Sequence, residues 1–316
     1  MLVILGQILL GFAFLIFSGD LLVKGAVRLA QLFKVSVLVI GLTVVAIGTS
    51  APEVFTSLSA TLQGSSALAL GNVVGSNIAN ILLVLGAASL IFPIAIHKKI
   101  ASRDACFMLF LTLVLVIFAY QNYLNFISGG IFLFLFILYL IKVVRQSRAE
   151  HDEVLEKMID EEEIKKSTDI STKKAVIFCV LAIIGLAFGG KILITGAISF
   201  ADYFGISQSF VGVSLVAFGT SAPELVTSII AAIKKEADLA LGNVVGSNIF
   251  NIALVMSICG FVSDLEVERS FLTFHLPYLL AVSLALYLMV KFGQKIGKFL
   301  GVLFLAFYVT YIGIQV

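Results

Sequence analysis

The sequence predicts an all-α membrane protein of ten transmembrane helices, arranged as two five-helix repeats of inverted topology with interrupted helices at the repeat motifs. Three observations predict it. Of 316 residues, 60% are hydrophobic and 13% charged, with a mean hydropathy of +1.12, whereas charged residues make up about a quarter of an ordinary soluble domain. Apolar runs recur that are long enough to cross a hydrocarbon core, which takes roughly 20 residues as a helix. The third is self-similarity: AIGTSAPEVFTS (46–57) returns as AFGTSAPELVTS (217–228), and LALGNVVGSNIAN (68–80) as LALGNVVGSNIFN (239–251).

Backbone groups cannot go unsatisfied in lipid, so the apolar runs read as helices. The short alternating strands of a transmembrane barrel are not seen. The first run, near 2–23, lacks the basic start and small-residue cleavage site of a signal peptide and reads as the first span. Spans two to five fall near 37–62, 67–92, 104–120 and 124–144. A polar segment at 145–173 follows, with Glu150, Asp152, Glu153, Glu156 and 160–163 interleaved with Lys157, Lys165 and Lys166. That mixture reads as a solvated, partly helical connector between halves 1–144 and 174–316. It has no EF-hand spacing, which argues against a dedicated calcium loop. Spans six to ten fall near 174–198, 207–232, 239–261, 271–290 and 296–315. Cys106, Cys179 and Cys259 lie singly in apolar runs and read as small core residues, and His97, His151 and His275 as interfacial ones.

Ten spans sort the basic residues. Lys24, Arg28 and Lys34, then Lys98, Lys99 and Arg103, then the linker cations, Lys234 and Lys235, and Lys291, Lys295 and Lys298 all fall on one side. The other side keeps Arg269, with Lys191 in or near span six. The positive-inside rule makes the linker cytoplasmic and both termini extracytoplasmic.

The repeats lie 171 residues apart, from Glu53 to Glu224, and 26 of 44 aligned positions agree between 43–86 and 214–257. Lipid-facing packing would preserve hydrophobicity, not identical polar residues. FSGDLLVKGA (17–26) lines up more weakly with FGGKILITGA (188–197). Five spans per half is an odd number, so the second half enters the membrane inverted. Such repeats, with the site near mid-membrane where they meet, are a signature of secondary transporters.

In GTSAPE (48–53 and 219–224), Pro52 and Pro223 remove a backbone donor and break or kink the helix. Thr49, Ser50, Thr220 and Ser221 put hydroxyls beside the break, and Glu53 and Glu224 follow the prolines. A carboxylate inside an apolar run is costly and calls for a positive partner. No Lys or Arg lies near either motif, so a cation ligand fits best. Carboxylate, hydroxyl, amide and carbonyl oxygens suit hard ions such as Ca²⁺ and Na⁺, and the His and Cys of zinc or copper sites are absent from the motifs. Two carboxylates neutralise one divalent ion, and their repulsion when empty invites proton competition. In GNVVGSN the pairs Ser76/Asn80 and Ser247/Asn251 share a helix face, with Asn72 one turn before. Gly71, Gly75, Gly242 and Gly246 leave room to press that face against the broken helix. Asn72, Asn77, Asn243 and Asn248 also suit hydrogen bonds that merely join helices. Asp20 and Lys191 hold matching repeat positions with opposite charge, a possible structural or gating pair.

These paired motifs resemble those of the sodium/calcium exchangers of the cation/calcium antiporter superfamily, and the likeness covers essentially the whole chain. The resemblance implies Ca²⁺ exchanged for Na⁺ by alternating access, with spans one and six sliding past the ion-binding core. It implies Glu53 and Glu224 as central calcium ligands, with oxygens from Thr49, Ser50, Ser76, Thr220, Ser221 and Ser247. The carbonyls of Ala46 and Ala217 contribute as well, and Asn80 and Asn251 line the middle of the site. Asparagine at 251, where potassium-dependent relatives carry aspartate, implies independence of potassium. The expected setting is a prokaryotic plasma membrane, with a functional monomer. Its partners are inorganic cations (Ca²⁺, Na⁺ or H⁺) and lipid, with no nucleic acid, no catalytic residue and no cofactor. Ca²⁺/H⁺ exchange is the alternative. A passive cation channel and an intramembrane hydrolase are the readings from other classes; interrupted inverted repeats argue against the first and the hydroxyl- and amide-rich shell against the second.

Overall fold

A computed structural model describes residues 1–33, 35–94, 98–155, 171–204, 217–293 and 295–315. Every extended element among them is a helix, apart from one isolated backbone pair between Ile94 and Ile296. The first half contains α1 (Leu2–Phe33), α2 (Val37–Thr49), α3 (Ala51–Leu62), α4 (Ser66–Ile91), α5 (Lys98–Tyr120) and α6 (Phe126–Leu155). The second contains α7 (Thr172–Tyr203), α8 (Ala217–Thr220), α9 (Ala222–Ile233), α10 (Ala237–Val262), α11 (Phe271–Lys291) and α12 (Lys298–Gln315).

Among the described residues, seven helices are long and apolar enough to cross a membrane, or eight if α2 and α3 form one span. The apolar helices α9 and the main part of α12 (Ala222–Ile233 and Lys298–Ile314) are shorter. The first ten residues or so of the seventh expected span, together with Lys34, His97 and linker positions 156–170, lie outside the described residues. Several helices outrun their expected spans: α1 continues past Lys24 and Arg28 to Phe33, and α6 runs through Lys142 and Arg145 into the connector as far as Leu155. Charge ends a hydrophobic run but does not end a helix, since Lys and Arg are good helix formers.

α2 and α3 meet at 44° across Ser50, whose backbone (φ −84°, ψ 8°) leaves the helical region. Ser221, before α9, has nearly the same angles (φ −84°, ψ 3°). Pro52 and Pro223 each sit in the first turn of the following helix, where a missing N–H costs nothing. A π-helical turn opens at Asn80 (Asn80–Val84) and another at Asn251 (Asn251–Val255), so both repeats widen the helix at the same residue. Such turns occur often at functional sites.

α1 and α7 form the most extensive helix pair and run antiparallel. A Cβ on Gly11 would lie 2.8 Å from the Leu193 nitrogen, one on Gly25 2.7 Å from Cys179 Sγ, and one on Gly196 3.0 Å from Ile8. In a bilayer apolar surface gives helices little reason to associate, so close packing at small residues does that work. This register puts Asp20 far from Lys191. Asp20 instead binds Lys24 (2.7 Å) and Lys234 (2.5 Å), tying α1 to the end of α9, so the pairing with Lys191 that the repeat allowed does not form. Cys179 and Cys259 are buried as expected, but Cys106 is exposed on α5. His275 bonds Tyr311 Oη at 2.9 Å between α11 and α12.

Candidate functional site

Glu53 is the third residue of α3 and Glu224 the third of α9, each completely buried. The positive end of a helix dipole favours a carboxylate there. Ser50, three residues before Glu53, reaches Glu224 with its hydroxyl, so the two motifs meet. Thr49, Ser50, Ser76, Asn80, Thr220, Ser221, Ser247 and Asn251 are also buried, at 0–1% exposure, so a set of polar groups drawn from both halves sits away from water and lipid.

Most of these groups are joined across the halves in matching pairs. The Asn72 amide nitrogen donates to the Glu53 carbonyl (3.2 Å) and Ser57 Oγ (2.9 Å), and its oxygen accepts from Thr220 Oγ1 (3.2 Å). Asn243 does the same with the Glu224 carbonyl (3.3 Å), Ser228 Oγ (3.0 Å) and Thr49 Oγ1 (3.1 Å). Ser76 lies 3.4 Å from Thr220, and Ser247 3.5 Å from Thr49. Deeper along the same helices, Asn80 donates to Asn248 Oδ1 (3.1 Å) while Asn251 donates to Asn77 Oδ1 (3.5 Å). Those bonds use amide nitrogens and leave carbonyl oxygens over.

The close approach that permits this comes from the second motif. A Cβ on Gly242 would lie 2.6 Å from the Leu38 carbonyl, and one on Gly246 2.7 Å from the Leu42 backbone. The glycine face of α10 therefore rests on α2 of the other half.

Several carboxylate and carbonyl oxygens at the site are left over, beside the Asn77 amide nitrogen, a donor. Among the described residues, both carboxylate oxygens of Glu53, Oε2 of Glu224 and Oδ1 of Asn80 and Asn251 are buried with no hydrogen-bond partner. Each is an acceptor, and a buried oxygen without a donor is costly unless something positive meets it. Ser221 Oγ is unpartnered as well, while Ser50 Oγ donates to Glu224 Oε1 at 2.9 Å. The Ala46 carbonyl accepts the Ser50 N–H (3.0 Å) and, less closely, the Thr49 hydroxyl (3.4 Å), so in this conformation it serves the helix. Ala217 is the first described residue of α8. No group of three or more His, Cys, Asp and Glu side chains gathers among the described residues; two carboxylates with neutral oxygens are the donor set.

One residue pair was not singled out from sequence. Ser57 and Ser228 lie one helical turn after the glutamates and hold the Asn72 and Asn243 amides. The signal was present: each closes the first stretch shared by the repeats, one turn along the glutamate face.

Residues 3–144 and 174–316 match the sodium/calcium exchanger protein family. The chain is 33% identical to the sodium/calcium exchanger MaX1 of Methanosarcina acetivorans, over 96% of each chain. It is 35% identical to the inner membrane protein YrbG of Escherichia coli, over 85% of this chain and 82% of that one. The structure is similar to the sodium-calcium exchanger NCX_Mj soaked with 10 mM Na⁺ and no Ca²⁺, with a TM-score of 0.84, 34% identity and 99% of both chains covered.

Proposed function

Since the chain belongs to the sodium/calcium exchanger family and is an integral membrane protein, we propose that it exchanges Ca²⁺ for Na⁺ across that membrane by alternating access. One observation carries the reading: five buried acceptor oxygens, three of them carboxylate, have no hydrogen-bond partner among the described residues. Ca²⁺ takes six to eight oxygens at about 2.3–2.6 Å, and carboxylates and amide carbonyls are typical members of its shell. Glu53 and Glu224 neutralise the ion, Asn80 and Asn251 supply neutral oxygens, and the hydroxyls of Thr49, Ser50, Ser76, Thr220, Ser221 and Ser247 complete the shells of Ca²⁺ and Na⁺. Either cargo answers the same unmet charge, so binding one displaces the other.

The architecture that goes with this is ten spans in two inverted halves, 1–144 and 174–316, joined by a cytoplasmic connector at 145–173, with both termini outside. Seven long helices, the bent α2–α3 span and the two short apolar helices support that number. The matched hydrogen bonds of Asn72 and Asn243 support two halves meeting at one site. The tightly packed α1–α7 pair is the element that slides past the site.

Reconstitution into vesicles tests the proposal. An outward Na⁺ gradient drives uptake of labelled Ca²⁺, and a pH gradient alone does not. Uptake driven by the pH gradient and indifferent to Na⁺ would assign a Ca²⁺/H⁺ antiporter; Ca²⁺ conductance with no counter-ion would assign a channel.

A further inference from the structure

A cavity of about 410 Å³ lies between α5 and α6, away in sequence from the repeat motifs. Its walls are apolar: Cys106, Phe107, Phe110 and Leu138. Phe110 and Leu138 are 45% and 46% exposed, so this wall opens on the outer surface, where acyl chains lie. Arg103, Tyr139 and Lys142 supply its polar lining.

The helix hairpin sets the depth. The turn is at 121–125, and Arg103 and Lys142 each lie 16 or 17 residues from it along their helices. At about 1.5 Å per residue that is roughly 25 Å, most of the roughly 30 Å hydrocarbon thickness. Both cations therefore stand near the interface opposite the turn, which is cytoplasmic in the orientation proposed above. Arg103 grips the buried Asp104 carboxylate through two 2.8 Å contacts, which cancels one charge. Lys142 is exposed, with no counter-ion among the described residues, and leaves the pocket with one net positive charge.

Tyr139 adds an independent sign of a ligand. It is 4% exposed and its ring stacks on Phe107 at 4.7 Å, yet its hydroxyl has no hydrogen-bond partner among the described residues. The Asp104 carboxylate that Arg103 grips lies close to that hydroxyl. A buried hydroxyl without a partner is costly. A group bringing negative oxygens to Tyr139 and Lys142 while laying hydrocarbon on Phe107, Phe110 and Leu138 meets every one of these features. Basic pockets between spans on the cytoplasmic side are suited to anionic headgroups.

We propose that the α5–α6 pocket binds an anionic phospholipid of the bilayer, its phosphate at Lys142, Arg103 and Tyr139 and an acyl chain along the aromatic wall. The chain contains no tryptophan, which allows a direct test. Leu113→Trp places the sole tryptophan on α5 one turn beyond Phe110, at a position 41% exposed. The full-length protein is reconstituted in mixed vesicles carrying brominated phosphatidylglycerol or brominated phosphatidylcholine at equal mole fraction. Brominated phosphatidylglycerol quenches the tryptophan as a ligand bound about fivefold more tightly, the effect of about one cation near the surface. Lys142→Glu removes the preference. A tryptophan at Val309, 69% exposed on α12, shows none in either background. Equal quenching by the two lipids at position 113, or a preference that survives Lys142→Glu, overturns the proposal. So does loss of the preference in millimolar inorganic phosphate, which would assign a soluble anion. The readout is lipid contact, not flux, so its failure and that of the exchange reading are separately visible.

Discussion

Every polar atom of the Asn72 side chain is in use: its nitrogen holds the Glu53 carbonyl and Ser57, and its oxygen holds Thr220. With all its polar atoms already engaged, Asn72, like its partner Asn243, fits the proposed site as a positioning residue. Asn80 and Asn251 differ in one atom, the Oδ1 each keeps unpartnered. Asn72→Ala strands three partners, and an unmet buried polar group costs about 1–3 kcal/mol. Ca²⁺ affinity should therefore fall about tenfold in Asn72→Ala, measured by calorimetry, with the Ca²⁺ stoichiometry unchanged. Glu53→Gln and Glu224→Gln keep the shape of the site but remove half its charge. Breaking a buried charge pairing costs about 3–5 kcal/mol, so each should lose Ca²⁺ binding by roughly 100-fold or more. The residues bearing charge were legible in the sequence because a carboxylate in an apolar run is an anomaly. The division of labour among asparagines was not. It depends on which amide faces which carbonyl across the halves, and no spacing along one helix encodes that.

The crossing of α10 over α2 is made by two glycines. Gly246→Val would drive a side chain into the Leu42 backbone, and overpacking of this kind costs about 1–3 kcal/mol. The thermal unfolding midpoint in detergent should drop by several degrees. Gly130→Ala, with nothing within 4 Å of the added Cβ, should leave it unchanged or slightly raised. Helix existence was readable from hydrophobicity, and the breaks at Ser50 and Ser221 from the prolines that follow them. The ends of α1 and α6 were not, because hydropathy marks where lipid stops rather than where backbone hydrogen bonds stop. The Asp20 pairing was missed for a related reason: matching repeat positions lie far apart once α1 and α7 run antiparallel. The partner from α9, Lys234, enters only through the tertiary fold.

Alternating access requires one part of the molecule to move against the rest, and the packing indicates where to divide it. α1 and α7 touch through small residues along their length, while α1 also meets α9 at Gly19, where an added Cβ would lie 3.3 Å from Val226. If α1 and α7 slide together, a cross-link within the pair is tolerated. Gly25→Cys, set against the native Cys179, should form a disulfide on oxidation and keep most of its Na⁺-driven Ca²⁺ uptake. Gly19→Cys with Val226→Cys ties α1 to the ion-binding core; oxidation should arrest uptake and reductant restore it. Arrest by the first cross-link and not the second would place the moving boundary between α1 and α7 instead. The repeat and the parity of five spans are what the proposed two-halved plan rests on, and both are read from sequence. The choice of moving part rests on inter-helix distances that sequence does not carry.

The central claim is that Glu53 and Glu224, from opposite halves, form one site and not two. Calorimetric titration of the purified protein with Ca²⁺ in Na⁺-free buffer tests it most directly, with the two glutamine variants alongside. One Ca²⁺ per chain, weakened or lost in either single variant and competed by Na⁺, is the predicted result. Two Ca²⁺ per chain, with each variant losing only one, would contradict it.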